Sequence, residues 1–133
     1  MMKAKIKGTA AERELIHLFW KNNWAAFRAA GSGSIKYPVP DIIAGNNLRK
    51  LAIEVKSTKE EKKYLTREDI DKLRTFSRMF GAEPWFAIRF DKKQWFFLNI
   101  EDIQETEKQF VINKEIAERR GLSFEEVIGI FRT

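Results

Sequence analysis

Cysteine is absent from the 133 residues, so the chain forms no disulfide and no thiolate metal site, a composition that fits a reducing cytosol. No apolar stretch reaches the length of a membrane span, and the Met-Met-Lys-Ala-Lys start lacks the apolar run of a signal peptide. These absences predict a cytoplasmic protein with no membrane partner. Internal repeats, low-complexity tracts and linkers are also missing, which leaves a single domain over residues 1–133. Histidine occurs once; His17 falls on a helical face with Arg13 and Lys21 and reads as a surface residue, not a ligand.

What is present is a globular composition with a basic excess. Hydrophobic residues make up 44%, so the chain is neither disordered nor fibrous. Lys and Arg number 25 against 19 Asp and Glu, a formal charge of +6 that favours a polyanionic partner.

The most informative segment is Pro40-Asp41, followed by Glu54-Val55-Lys56. Apolar Ile42, Ile43 and Ala44 follow the aspartate, and Leu51, Ala52 and Ile53 lead into the glutamate. Between them, Gly45-Asn46-Asn47-Leu48-Arg49-Lys50 is rich in turn formers. A reversal near Asn47 and Leu48 sets Asp41 opposite Glu54, where facing Cβ atoms lie about 4.5–5.5 Å apart. Alternation puts Lys56 on the face of Glu54 and turns Val55 away. Paired carboxylates repel unless a proton or cation lies between them. Mg²⁺ or Mn²⁺ prefers such oxygen ligands, and the chemistry suggested is metal-assisted attack on a phosphodiester. Taken alone, the hairpin also fits solvated edge residues and a surface ion pair.

The rest of the chain supplies a frame. A helix is predicted from about Thr9 to Lys21, with Thr9 and Glu12 in a capping-box pattern and Glu12 on the stripe of Ile16 and Phe19. A strand, Trp24 to Arg28, precedes a small-residue loop, Ala29 to Ser34. After the hairpin, Lys59 to Lys63 reads as a solvated loop. A second helix begins at Thr66 and ends at Gly81, with Ile70, Leu73, Phe76, Met79 and Phe80 at helical spacing. Pro84 is expected to break the chain before strands Trp85 to Phe90 and Gln94 to Ile100. Glu101 to Arg120 has no clear pattern, and Ser123 to Glu126 caps a short final helix. This order gives an α/β class with a mixed central sheet.

Glu12, Asp41, Glu54 and Lys56 form the candidate constellation. The chain resembles the archaeal Holliday junction resolvases of the PD-(D/E)xK nuclease superfamily. The resemblance is carried by Lys7-Gly8-Thr9-Ala10-Ala11-Glu12-Arg13-Glu14 and by Arg28 before the loop with Ser32. It extends through Pro40 to Ala44, Ile53 to Ser57 and Phe76 to Gly81, roughly the first two thirds of the chain. It implies a restriction-endonuclease-like fold, with a central mixed sheet flanked by helices. The implied activity is that of a homodimeric endonuclease making paired nicks in four-way DNA junctions, in recombination and repair.

Further implications of the resemblance concern single residues. Asp41, Glu54 and the Val55 carbonyl would bind Mg²⁺, with Mn²⁺ a substitute, and Glu12 would complete the acidic site. Ser32 would stand near the scissile phosphate. Lys7 and Arg28 would contact the DNA backbone, with Arg13, Ser34 and Lys36 as further candidate contacts. Lys56 would hold phosphate as an ammonium or act as a neutral base. A sliding clamp or recombinase is a candidate partner, and nucleoid association follows from the substrate. Other repair or restriction nucleases of the superfamily, and a non-catalytic junction binder, are the competing readings.

Overall fold

The computed structural model describes the backbone of residues 2–29, 36–92 and 94–129, and side chains within these from residue 10 onward. The elements are α1 (Met2–Lys21), β1 (Ala25–Arg28), β2 (Ile42–Gly45), β3 (Lys50–Thr58), β4 (Lys62–Leu65), α2 (Arg67–Phe80), β5 (Glu83–Phe90), β6 (Phe96–Leu98), β7 (Gln104–Glu105), β8 (Phe110–Asn113), α3 (Lys114–Arg120) and α4 (Phe124–Val127). A five-stranded sheet has the order β1-β2-β3-β5-β6, and a three-stranded sheet the order β4-β8-β7. The class is α/β with a central mixed sheet and flanking helices. Packing divides the chain into two compact units, Met1–Val55 with Lys72–Pro84, and Lys56–Asp71 with Trp85–Thr133.

In the first unit, β1, β2 and the start of β3 form an antiparallel meander that α1 packs against. Ala11, Leu15 and Phe19 recur every four residues and are buried with Trp24, Ile42, Ala44, Leu51 and Ile53. Phe19 and Trp24 meet with ring centroids 5.8 Å apart. The β2–β3 turn is closed by Asn46, whose Oδ1 accepts from the amides of Leu48 and Arg49 at 2.9 and 2.8 Å. Arg49 then donates through Nε and Nη2 to both Glu83 oxygens at 2.8 Å, a bidentate pair.

The second unit holds the smaller sheet, in which Lys62 pairs with Asn113 and Leu65 with Phe110. Here α3 and α4 pack on β6, and Phe97 exchanges two 2.8 Å backbone hydrogen bonds with Leu122. Gly121 suits this turn, because a Cβ there would stand 2.5 Å from the Ala117 carbonyl oxygen and 3.0 Å from Phe96 Cβ of β6. The capping box at Ser123 and Glu126 forms as the sequence predicts.

Several boundaries differ from the sequence reading. Thr9 lies inside α1, so Glu12 belongs to no capping box. The residues before Thr9 are dominated by good helix formers, which let the helix run through the signature. Pro84 lies within β5 near its start, a position where a strand tolerates proline. Lys62 and Lys63 of the expected loop enter β4, and the uncharacterised region yields β7, β8 and α3. Met79 and Phe80 share the apolar spacing of α2 yet are 77% and 47% exposed. Phe80 instead stacks on Phe76 at 5.0 Å, with the Lys50 ammonium 5.4 Å from its ring centroid.

Candidate functional site

The hairpin register is the first determinant of the site. The ladder ends where Ile42 pairs with Ile53, and Asp41, just outside it, bonds to Ile53 and Val55, the residues on either side of Glu54. Asp41 is fixed at three points. Its amide donates to the Ile53 carbonyl at 3.1 Å, and its carbonyl accepts from the Ala29 amide at 2.9 Å. Its Oδ2 accepts from the Val55 amide at 2.8 Å. A carboxylate held this way loses little further freedom on binding a ligand.

Glu12 comes from α1, one position beyond buried Ala11, with its side chain only 13% exposed. Burial raises its carboxyl above the usual glutamate range, and the Asp41 charge raises it further. Arg28 opposes both effects by its hydrogen bond and charge. The Arg28 Nε donates to Glu12 Oε1 at 2.7 Å from the end of β1. Asp41 and Glu12 are thus close enough to feel each other's charge, as a shared cation site requires.

Glu54 is 2% exposed, an unusual position for a carboxylate. The Lys72 ammonium of α2 stands 3.9 Å from its Oε1. Two residues on, Lys56 continues β3 on the face of Glu54, and its ammonium lies 3.8 Å from Asp69 Oδ1.

Among the described residues, no three His, Cys, Asp or Glu side chains are gathered as a metal-holding group. This differs from the expected ligand set of Glu12, Asp41 and Glu54. Each carboxylate faces a group of the protein's own: the Arg28 guanidinium on Glu12, the Val55 amide on Asp41, and the Lys72 ammonium 3.9 Å from Glu54. The donor chemistry nevertheless fits a hard divalent cation, being all oxygen and partly sheltered. The upward push of Asp41 on Glu12 is the repulsion such a cation would relieve.

Arg13 and Lys36 are exposed, as are His17 and Lys21. Ser32 and Ser34, and the side chain of Lys7, lie outside the described residues. Sequence reasoning missed Lys72 and Asp69. They stand three apart on α2, beside the buried Ile70 and Leu73. Polar residues bordering a buried stripe were the available signal.

Residues 3–133 match the family described as archaeal Holliday junction resolvase (hjc). The crossover junction endodeoxyribonuclease Hjc of Archaeoglobus fulgidus is 44% identical over 132 residues, covering 94% of this chain and 97% of the relative. The enzyme of the same name from Methanocaldococcus jannaschii is 37% identical over 123 residues, covering 92% and 87%. The solved structure of Archaeoglobus fulgidus Hjc, titled a Holliday junction resolvase from an archaeal hyperthermophile, aligns with a TM-score of 0.86. It shares 42% identity and is covered in full, against 92% of this chain.

Proposed function

The chain belongs to the archaeal Holliday junction resolvase family, and from that premise we propose that it is an endodeoxyribonuclease cutting four-way DNA junctions, with Mg²⁺ held by Glu12, Asp41 and Glu54. The observation that supports the assignment of the site is the tie of Asp41 to β3, its amide on the Ile53 carbonyl and its Oδ2 on the Val55 amide, on either side of Glu54. Glu12 stands near enough for its ionisation to respond to Asp41.

In this reading, Asp41 and Glu54 would hold the cation with the Val55 carbonyl, and Glu12 would complete the site directly or through water. A bound divalent cation would supply charge neutralisation at the scissile phosphate and acidify a water molecule. Lys56 orients the phosphate or the attacking water from the same face of β3. Arg28, held by Glu12 in the free protein, becomes available to a phosphate once that carboxylate is engaged elsewhere. Ser32 contributes near the phosphate, with Lys7, Arg13, Ser34 and Lys36 as further backbone contacts. Two copies related by a two-fold axis would present two such sites to opposed strands, the arrangement paired nicks require.

The test compares a four-way junction with a linear duplex of the same sequence, with Mg²⁺ or with chelator. Wild type should cut the junction preferentially and only with metal. Asp41→Asn keeps the side-chain shape and its hydrogen bond from Val55, but removes the ligand charge. It should lower cleavage by at least about a hundredfold, the upper end of what outer-shell changes cost metal enzymes, while leaving junction binding near normal. Equal cutting of junction and duplex would replace the resolvase reading with another nuclease of the superfamily. Full cutting by the Asn variant would remove Asp41 from the site.

A further inference from the structure

We propose that Asp69 is a positioning residue for Lys56, using the start of α2 as a fixed mount for the site's lysine; the inference rests on the role given to Lys56 above. Asp69 occupies the third helical position after Thr66 and closes a capping box. The Thr66 amide donates to Asp69 Oδ2 at 3.0 Å, and the Asp69 amide donates to Thr66 Oγ1 at 3.0 Å. One carboxylate oxygen is thereby committed to the backbone, and the side chain's orientation is set by the helix start.

The other oxygen, Oδ1, is the one that faces Lys56, with the ammonium 3.8 Å away. Both side chains are about three-quarters sheltered, at 21% and 25% exposure, so water screens the attraction less than on an open surface. Lysine carries its charge on a flexible four-carbon stem, and a fixed anion narrows where that charge resides. The separation exceeds a hydrogen bond, so the ammonium is held by attraction while its donors stay available to a phosphate or a water. A tight hydrogen-bonded pair would have consumed one of them. The box is closed by Asp where Glu or Gln is usual.

Thr66 provides the control, because its hydroxyl caps the helix without touching Lys56. Thr66→Ala keeps the backbone N–H that holds Asp69 Oδ2, whereas Asp69→Asn keeps the cap's shape and discards the charge. Junction cleavage should be followed in single turnover at saturating enzyme and Mg²⁺, beside junction binding and thermal melting. Asp69→Asn should slow cleavage about tenfold, a moderate cost for a misplaced group, with Kd for the junction changed by less than about twofold. Thr66→Ala should melt earlier yet cut at close to the wild-type rate. In a Lys56→Ala background, adding Asp69→Asn should slow cleavage no further.

Wild-type cutting by Asp69→Asn beside a disabled Lys56→Ala overturns the proposal and leaves the role of Lys56 standing. Equal slowing by Thr66→Ala and Asp69→Asn reduces the effect to a damaged helix start and overturns it as well. So does a loss seen in Kd alone. Unimpaired cutting by Lys56→Ala removes the role of Lys56 itself, and the proposal falls with it.

Discussion

Arg28 illustrates how much of the site depends on single side chains answering one another. Its Nε sits 2.7 Å from Glu12 Oε1, where it lowers a carboxyl that burial and Asp41 together raise. In the proposed mechanism a cation and Arg28 compete for the same carboxylate. Arg28→Met, which keeps the stem and removes the charge, should therefore bind Mg²⁺ more tightly in the absence of DNA. The Arg28 side chain is 44% exposed, so the pair is worth only about 0.2–1 kcal/mol, and the gain should be roughly two- to fivefold at most. Titration calorimetry at a pH well above the carboxylate range measures it directly. Unchanged or weaker metal binding would show that Arg28 does not compete. The positions of Asp41, Glu54 and Lys56 were legible because strand alternation and hairpin register are local rules. The cations that answer them were not. Lys72 and Asp69 reach the hairpin from α2 through tertiary packing, which no residue spacing encodes.

Among the elements, α2 has ends that the sequence marks clearly, and both are realised. Thr66 and Asp69 close its start, and Gly81 follows its last residue with φ of +81°. The Gly81 amide donates to the Ser77 carbonyl at 2.9 Å, satisfying one of the last free carbonyls. A Cβ at Gly81 would meet nothing within 4 Å, so any penalty for a side chain there is purely conformational. Gly81→Ala should cost about 1 kcal/mol in denaturant unfolding, from the left-handed backbone alone. A neutral result would mean that the helix end relaxes to another conformation. The strands of the smaller sheet left a much fainter trace. Lys62–Leu65 is short and begins with two lysines, and its partner Phe110–Asn113 lies far along the chain. Such a strand is defined by its pairing rather than its composition, so Lys62 and Lys63 read as the end of a solvated loop. The start of α1 failed for the opposite reason, since a strong local signature at Thr9 and Glu12 was overridden by helix-forming residues before it.

For the whole molecule, the relevant quantity is the formal charge of +6 on a chain that buries some of its carboxylates. Asp41, Glu12 and Glu54 contribute to the acidic total, yet Glu54 is buried and Glu12 nearly so. The surface available to a polyanion is accordingly more basic than the net figure. Arg13, Arg28 and Lys36 are exposed in the first unit, and Lys59, Lys62 and Arg67 in the second. Binding to a junction through phosphates releases condensed counterions, so the affinity must fall as salt rises. With only two phosphates engaged, the slope for duplex arms predicts roughly a tenfold loss between about 50 mM and about 200 mM salt, and more contacts predict more. Fluorescence anisotropy of a labelled four-way junction, in Ca²⁺ or chelator to prevent cutting, gives the slope. Neutralising Arg28 should reduce that slope by about one if it contacts phosphate in the complex. Its pairing with Glu12 makes the outcome informative, because an arginine that stays on Glu12 when DNA binds would leave the slope unchanged. The slope thus reports whether the guanidinium moves from carboxylate to phosphate when the junction arrives.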